Sequence, residues 1–419
     1  MLKKADSFTR SIIIVFAGTS LINLLNLLYQ LLIAHRLPAQ EFASFNSLLA
    51  IFTIVAAPLL TLQLAVTKYC AEFNAHNQAA KLKFFLKDLL KKSSILGVIT
   101  FLVFLFFSKY ILSALKITST SSGYILAGLV SCVWFMSISV GSVQGLQLFG
   151  WFSVVSASTG ALKLILAFIL TYLGYNISGA LGALLAANII TALIFYFPMR
   201  RYFTFNPEVE EIDYQNDFIS FLFPLAVAGL CFMSLVNIDM ILVKYLFSAE
   251  DSGIYSLAQM VGKIFLFLPV AISTVMFPKA SALNAKKMDT SAILKKSLIY
   301  VSALSILACV IYNAFPSIVL KALTGKVNRE SVFLGRLFGI SMSFFALIYT
   351  LQFYFLSVND LRFIKFLVIS TLFQILAITL FHNSLFQVQL VLCINSILLV
   401  FVYLLMAFKV ISNEKTIQR

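Results

Sequence analysis

Twelve apolar stretches, each close to twenty residues long and bounded by short charged or Pro/Gly-marked breaks, constrain this chain more than any other feature. A helix needs about 20 mainly apolar residues to cross a bilayer. The stretches fall near 11–34, 43–66, 94–115, 124–147, 152–173, 179–198, 218–243, 253–278, 297–315, 335–356, 363–382 and 386–408. Spans four and five are the hardest to part, because Gln144–Gly150 is a short uncharged break. Composition agrees: 61% of the 419 residues are hydrophobic and 11% are charged, against about 45–50% and about 25% in a soluble domain. A soluble enzyme, a nucleic-acid-binding module and a disordered tail are excluded. The expected fold class is an all-α polytopic membrane protein with twelve transmembrane helices. The run from Ser11 to Ala34 is too long for a signal-peptide core, so it is expected to be a retained first span.

Charge sets the expected orientation. Of the 31 Lys and Arg, 21 fall on the side of the N-terminus, 8 fall on the other side, and Lys163 and Lys263 lie inside spans. Cytoplasmic loops carry the excess of Lys and Arg, which predicts that both termini are cytoplasmic and leaves the net charge of +15 without a nucleic-acid partner. The acidic segment after the sixth span, with Glu208, Glu210, Glu211 and Asp213, divides the chain into an N-terminal six-helix lobe (1–199), a cytoplasmic linker (200–217) and a C-terminal six-helix lobe (218–419).

The halves resemble one another. Leu37–Leu48 answers to Leu246–Leu257, with Glu41 opposite Glu250, Ser47 opposite Ser256 and Leu48 opposite Leu257. Pro58 and Lys68 answer to Pro269 and Lys279, and the third span opens with L-K-K-S in both halves, at Leu90–Ser93 and Leu294–Ser297. An even-numbered repeat implies a pseudo-twofold axis along the membrane normal, one of the repeat geometries of secondary transporters.

Polar residues inside the spans are the candidate functional groups. Thr19, Asn23, Asn26 and Gln30 stand at i, i+4, i+7 and i+11, on one helix face. That stripe suits helix–helix hydrogen bonding and cavity lining equally well. Ser156, Thr159 and Lys163 share a face of span five, and Ser256, Gln259 and Lys263 share a face of span eight. A lysine at a helix centre costs about 2.5–3.5 kcal/mol on insertion scales, so by default it lines a pathway or pairs with a buried acid. Asp239 is the acid placed well inside a span. It reads either as a structural or interfacial acid or as an ion-coupling carboxylate. Arg336 reads as an interfacial anchor or as a contact for phosphate at the outer mouth.

Catalytic chemistry is not in evidence. His35, His76 and His382 are far apart and have no partners at metal-ligand spacing. The five cysteines, Cys70, Cys132, Cys231, Cys309 and Cys393, are odd in number and widely spaced, and they read as packing residues. No phosphate-binding Gly loop of Walker type is present. Neither a cofactor nor a metal is expected, and the chain is not expected to be an enzyme. Gln78–Lys92 alternates lysines with Leu and Phe and reads as an inner-surface helix lying against anionic headgroups.

Asn237–Phe265 (NIDMILVKYLFSAEDSGIYSLAQMVGKIF) and the following Pro269–Ser281 (PVAISTVMFPKAS) resemble the seventh and eighth spans of polysaccharide-biosynthesis flippases. Those proteins belong to the multidrug/oligosaccharidyl-lipid/polysaccharide (MOP) exporter superfamily. Arg36–Asn46 (RLPAQEFASFN) is similar to that family's turn after the first span. The resemblance implies a secondary transporter of O-antigen type that moves a lipid-linked oligosaccharide, of the undecaprenyl-diphosphate type, to the outer leaflet by alternating access. It places the protein in the bacterial inner membrane, in lipopolysaccharide and other cell-surface polysaccharide biosynthesis. It also implies a coupling ion, H+ or Na+, and glycan polymerase and export machinery as partners. In that family spans one, two, seven and eight line a central, often cationic cavity. On this ground Asn23, Asn26, Gln30, Gln259 and Lys263 are expected substrate-cavity residues, Lys163 joins them, and Asp239 is the ion-coupling candidate. The alternative is an ion-coupled antiporter of small cationic drugs or metabolites.

Overall fold

A computed structural model describes residues 7–204, 215–267, 269–286 and 288–417. The acidic part of the expected linker, 205–214, lies outside the described residues. Fifteen helices account for the described fold: α1 (Ser7–Arg36), α2 (Ala39–Ala75), α3 (Ala79–Ala114), α4 (Thr120–Gly145), α5 (Phe149–Tyr172), α6 (Asn176–Thr204), α7 (Gln215–Leu235), α8 (Ile238–Leu246), α9 (Ala249–Phe267), α10 (Val270–Ala285), α11 (Ser291–Ala314), α12 (Pro316–Thr324), α13 (Arg329–Ser357), α14 (Phe363–Leu380) and α15 (Leu385–Ile417). No strand occurs among the described residues. Ten of these helices are each long and apolar enough to cross a membrane. Their outward faces carry apolar side chains such as Phe106, Ile165, Ile306 and Phe401, as contact with hydrocarbon requires. The chain is a helical, multi-pass membrane protein.

The path divides into two compact units, Met1–Leu230 and Cys231–Arg419, with the division inside α7. Expected spans one to six are α1–α6. The uncharged break between spans four and five is a tight turn in which Gln147 takes the left-handed conformation, φ 58°. Expected spans nine to twelve are α11, α13, α14 and α15.

Spans seven and eight depart from the expectation of continuous helices. The eighth breaks between α9 and α10 at Pro269, which has no N–H to donate and whose ring crowds the preceding turn. The seventh breaks between α7 and α8 at Val236–Asn237, where Asn237 leaves helical geometry (φ −137°, ψ −20°). No Pro or Gly marks that break in the sequence. The long loop after span nine also holds a further short helix, α12, started by Pro316 at its first turn and ended by Gly325 at φ 70°.

In the first unit α4 is the central helix, packed on α2, α3 and α6. A Cβ at Gly141 would stand 2.6 Å from the Gln63 carbonyl oxygen, and one at Gly145 would stand 2.6 Å from that of Thr67. The small-xxx-small spacing thus lets α4 lie directly on the α2 backbone. In the second unit α13 holds the equivalent place against α9, α10, α11 and α15. Asn328 caps it by accepting the Glu330 N–H at 2.8 Å.

The segment Gln78–Lys92 corrects another expectation. It is not a separate helix lying flat on the membrane but the first part of α3, which is 36 residues long, about 54 Å at 1.5 Å per residue. Its apolar face meets protein. Leu82, Phe85, Leu86 and Leu89 are buried, and the Phe85 ring lies 5.6 Å from Tyr69, 5.7 Å from Phe73 and 6.0 Å from Phe218, between ring centroids.

Candidate functional site

Two polar clusters, one in each unit, sit within the membrane-spanning helices. In the first unit α1 and α5 approach closely because Gly160 presents no side chain to Leu25, where a Cβ would come within 2.9 Å. That closeness brings Lys163, buried at 8% exposure, to α1. Its ammonium donates a hydrogen bond to Asn26 Oδ1 and lies 4.5 Å above the Tyr29 ring, a cation–π contact. The Tyr29 hydroxyl is fixed in turn by donation to the Ala180 carbonyl at 2.9 Å. Both of these neighbours are neutral, and among the described residues no acid pairs with this buried cation. Gln30 and Asn26 are half-buried and Asn23 is exposed. The stripe read from the sequence therefore runs from the Lys163 contact out to an open face. The Thr19 side chain lies outside the described residues. Thr159 is occupied with Thr191 and the Val155 carbonyl.

In the second unit Asp239 occupies the first turn of α8, just past the break, and is completely buried. A carboxylate there is favoured by the positive end of the helix dipole. It accepts hydrogen bonds from the Tyr255 hydroxyl at 2.9 Å and from Gln259 Nε2 at 3.1 Å. The Tyr255 oxygen also lies 3.5 Å from Gln389 Oε1, and Gln389 Nε2 donates to Ser341 Oγ at 2.8 Å. Lys263, half-buried one helical turn beyond Gln259, acts electrostatically on Asp239. Its ammonium makes no direct ion pair with the carboxylate among the described residues. The structure thus brings Asp239, Gln259 and Lys263 into one cluster. It places Asp239 in the protein interior, fully shielded from solvent. Arg336 is exposed.

A second network closes the break itself. The Leu235 carbonyl at the end of α7 accepts Gln374 Nε2 from α14 at 2.8 Å. Asn395 Nδ2 from α15 donates to Gln374 Oε1 at 2.9 Å, and Ser370 Oγ donates to Asn395 Oδ1 at 2.8 Å. The Cys231 carbonyl takes the Thr371 hydroxyl at 3.3 Å. Freed backbone groups within a membrane must find partners in the protein, and here Gln374 and Thr371 of α14 supply them, with Asn395 of α15 holding the Gln374 amide.

Sequence reading missed Tyr29, Tyr255, Gln374, Gln389 and Asn395, because it sought stripes of three or more polar residues along one helix. A single amide inside an apolar run, as in T-L-F-Q-I-L or C-I-N-S-I, is the signal that would have found three of them. Lys244, read only as the end of a span, is 2% exposed.

Broken membrane helices that carry buried polar groups beside the break are the architecture of secondary transporters, and the comparisons agree. The structure aligns with an inward-facing multidrug resistance MATE family transporter of the MOP superfamily (TM-score 0.75, 13% identity, 94% of this chain and 96% of that one). It aligns also with an outward-facing one (TM-score 0.70, 14% identity, 96% and 95%). A third alignment is with a MOP superfamily transporter from Pyrococcus furiosus, for which a reversed polarity of the binding pocket suggests a different function (TM-score 0.68, 16% identity, 96% and 95%). The fold is therefore that of the solved membrane transporters of the MOP superfamily. More particularly, residues 8–284 match the family described as polysaccharide biosynthesis protein, and the chain belongs to that family. An uncharacterized membrane protein of Methanocaldococcus jannaschii is 25% identical over 258 residues, 57% of this chain and 60% of that protein's length.

Proposed function

We propose that this transporter moves a polyprenyl-diphosphate-linked oligosaccharide from the cytoplasmic to the outer leaflet, driven by an ion gradient. The observation that carries this reading is the buried Lys163, whose charge is met by an amide and an aromatic ring rather than an acid. A cation held at such cost inside a membrane is suited to an anionic ligand. Membership of the polysaccharide biosynthesis family supports the same substrate class. The half-buried Asn26 and Gln30 offer hydrogen bonds to sugar hydroxyls, and the second unit carries a cation of its own in Lys263. Asp239, with its donors Tyr255 and Gln259, is the group for the coupling ion. The structural relative whose reversed pocket polarity suggests a different function is a precedent for one fold serving more than one function.

A second reading keeps one specific observation. Asp239 is a completely buried acid, and an antiporter of small organic cations would use such a carboxylate directly. Ligand-induced thermal stabilisation separates the two, because a ligand that binds only the native state raises its melting temperature. Undecaprenyl diphosphate is expected to stabilise the protein in detergent, and Lys163→Met is expected to remove most of that shift. Stabilisation by an organic cation such as ethidium, lost in Asp239→Asn and absent with the diphosphate lipid, would transfer the assignment to the antiporter.

A further inference from the structure

One surface remains outside the membrane-embedded clusters. On α3 the residues Lys83, Lys87, Lys91, Ile95, Ile99, Val103 and Phe107 follow one another at intervals of four, a single ridge along the helix. The last four are exposed large hydrophobics, between 46% and 53% accessible, and form part of the lipid-facing belt. The same ridge then leaves the hydrocarbon and continues as lysines. Lys87 and Lys91 are exposed and Lys83 is half-buried. Lys92, by contrast, is paired with Asp88 at 2.7 Å. No hydrogen bond or ion pair engages Lys83, Lys87 or Lys91 among the described residues. Consecutive rungs stand about 6 Å apart along the axis.

The ordinary requirement for positive charge at this end of a span does not account for the ridge. The second unit shows what that requirement needs. There the repeated L-K-K-S places Lys295 and Lys296 under the exposed Ile299 and Tyr300, and α11 begins only three residues before Leu294. In the first unit α3 begins eleven residues before Leu90. The added turns carry Lys81, Lys83 and Lys87. They are held upright by the buried Leu82, Phe85 and Leu86 and by the ring contacts of Phe85 with Tyr69, Phe73 and Phe218. An anchor would need neither the extra length nor the aromatic brace.

We infer that Lys83, Lys87 and Lys91 form a docking ridge for the diphosphate headgroup of a polyprenyl lipid, which captures it from the surrounding leaflet before transport. The identity of the lipid rests on the flippase reading above. Lys91 stands next to the apolar belt, at the level where a lipid's phosphates emerge. Lys87 lies one turn further out, so two phosphates on one headgroup meet two ammonium groups, and Lys83 faces what is attached beyond them. A headgroup with a single phosphate engages fewer rungs, and this gives the ridge its preference for the diphosphate.

The test is binding of undecaprenyl diphosphate to the full chain in phosphatidylcholine nanodiscs, with phosphatidylglycerol as competitor. A lysine near an anionic lipid surface contributes about 1 kcal/mol. The triple variant Lys83→Gln, Lys87→Gln, Lys91→Gln is therefore expected to bind on the order of a hundredfold more weakly. Lys295→Gln with Lys296→Gln is expected to bind as the native protein does. The triple arginine variant, which retains the charge, is expected to bind normally and shows that the protein tolerates change along the ridge. Undiminished binding by the glutamine variant overturns the inference, as does displacement by phosphatidylglycerol as readily as by the diphosphate lipid. Flipping in proteoliposomes is read separately. Ridge-dependent binding without any movement of headgroups would refute the flippase reading and leave the ridge standing. Headgroup movement with ridge-independent binding would do the reverse.

Discussion

In each unit a side chain of the fifth span reaches the first span at a corresponding sequence position, but with different chemistry. Asn26 lies fifteen residues before Glu41, and Leu235 lies fifteen before Glu250. In the first unit α5 reaches Asn26 with a cation, Lys163, and the partner is a side chain on an unbroken helix. In the second, α14 reaches Leu235 with a neutral amide, Gln374, and the partner is the main-chain carbonyl at a helix break. The charge of the second unit sits instead on α8 and α9, as Asp239 with Lys263 nearby. Where the backbone is intact, the buried Lys163 meets only side chains, Asn26 and Tyr29, and under the proposed function it serves the ligand. Where the backbone is interrupted, the amides are committed to holding the break, and under the proposed function the acid beside it is the group for the coupling ion. The first unit is thus suited to recognition, and the second to rearrangement.

Removing the acid is the most severe way to break this division. Asp239→Asn keeps an oxygen to accept from Tyr255 and Gln259, so the fold is expected to persist. Gradient-driven transport is expected to fall by roughly a hundredfold, the upper range of coupling free energies. Transport that stays gradient-dependent in this variant would remove Asp239 from the coupling role. Next in size is Gln374→Leu, which strands the Leu235 carbonyl and removes one of the acceptors of Asn395. A buried polar group left unsatisfied costs about 1–3 kcal/mol, and a clearly lowered melting temperature is expected in detergent. An unchanged melting temperature would mean that the break needs no brace.

Lys163→Met sharpens the contrast from the other side. Replacing a buried charge by an apolar group of similar shape is often neutral or stabilising, so thermal stability is expected to hold or rise while diphosphate-lipid binding drops. A loss of stability equal to that of Gln374→Leu would make Lys163 a structural brace as well. The smallest effect belongs to the turn between α13 and α14. There Arg362 donates through Nε and Nη2 to Asp360, both at 2.8 Å, and holds its carboxyl below the usual value. A lowered native value means that this contribution is fully present at neutral pH and is lost as the pH falls through the ordinary carboxylate range and below it. Asp360→Asn is expected to flatten the acid limb of a stability–pH curve slightly, with no change at pH 7 in transport.

Much of the fold was legible because apolar length is a one-dimensional property. A run of twenty apolar residues needs no partner to be recognised, so α1–α6, α11 and α13–α15 follow from the sequence, and the Pro269 break could have been anticipated from proline's missing donor. The Val236–Asn237 break could not. It is stabilised by Gln374 and Asn395, more than a hundred residues away in the chain, and only folding brings those amides to it. The same limit applies to the candidate site. Lys163, Lys263 and Asp239 stand out as charges in apolar runs, whereas Tyr255 and Gln389 acquire their meaning from the carboxylate they meet. The lysines of Gln78–Lys92 were read correctly as amphipathic, but periodicity alone does not say whether the apolar face meets lipid or protein.

The most direct measurement is the movement of a lipid-linked oligosaccharide across proteoliposomes under an imposed ion gradient. It would compare the native protein, the Lys163→Met, Lys263→Met double variant and protein-free vesicles. The expected result is protein-dependent appearance of the headgroup on the far side, reduced at least about tenfold in the double variant, as the loss of 1.4 kcal/mol of recognition requires, with its melting temperature maintained. Equal movement in the double variant would contradict recognition by Lys163 and Lys263. No movement of any of several glycans, together with uptake of a small organic cation, would contradict the flippase itself.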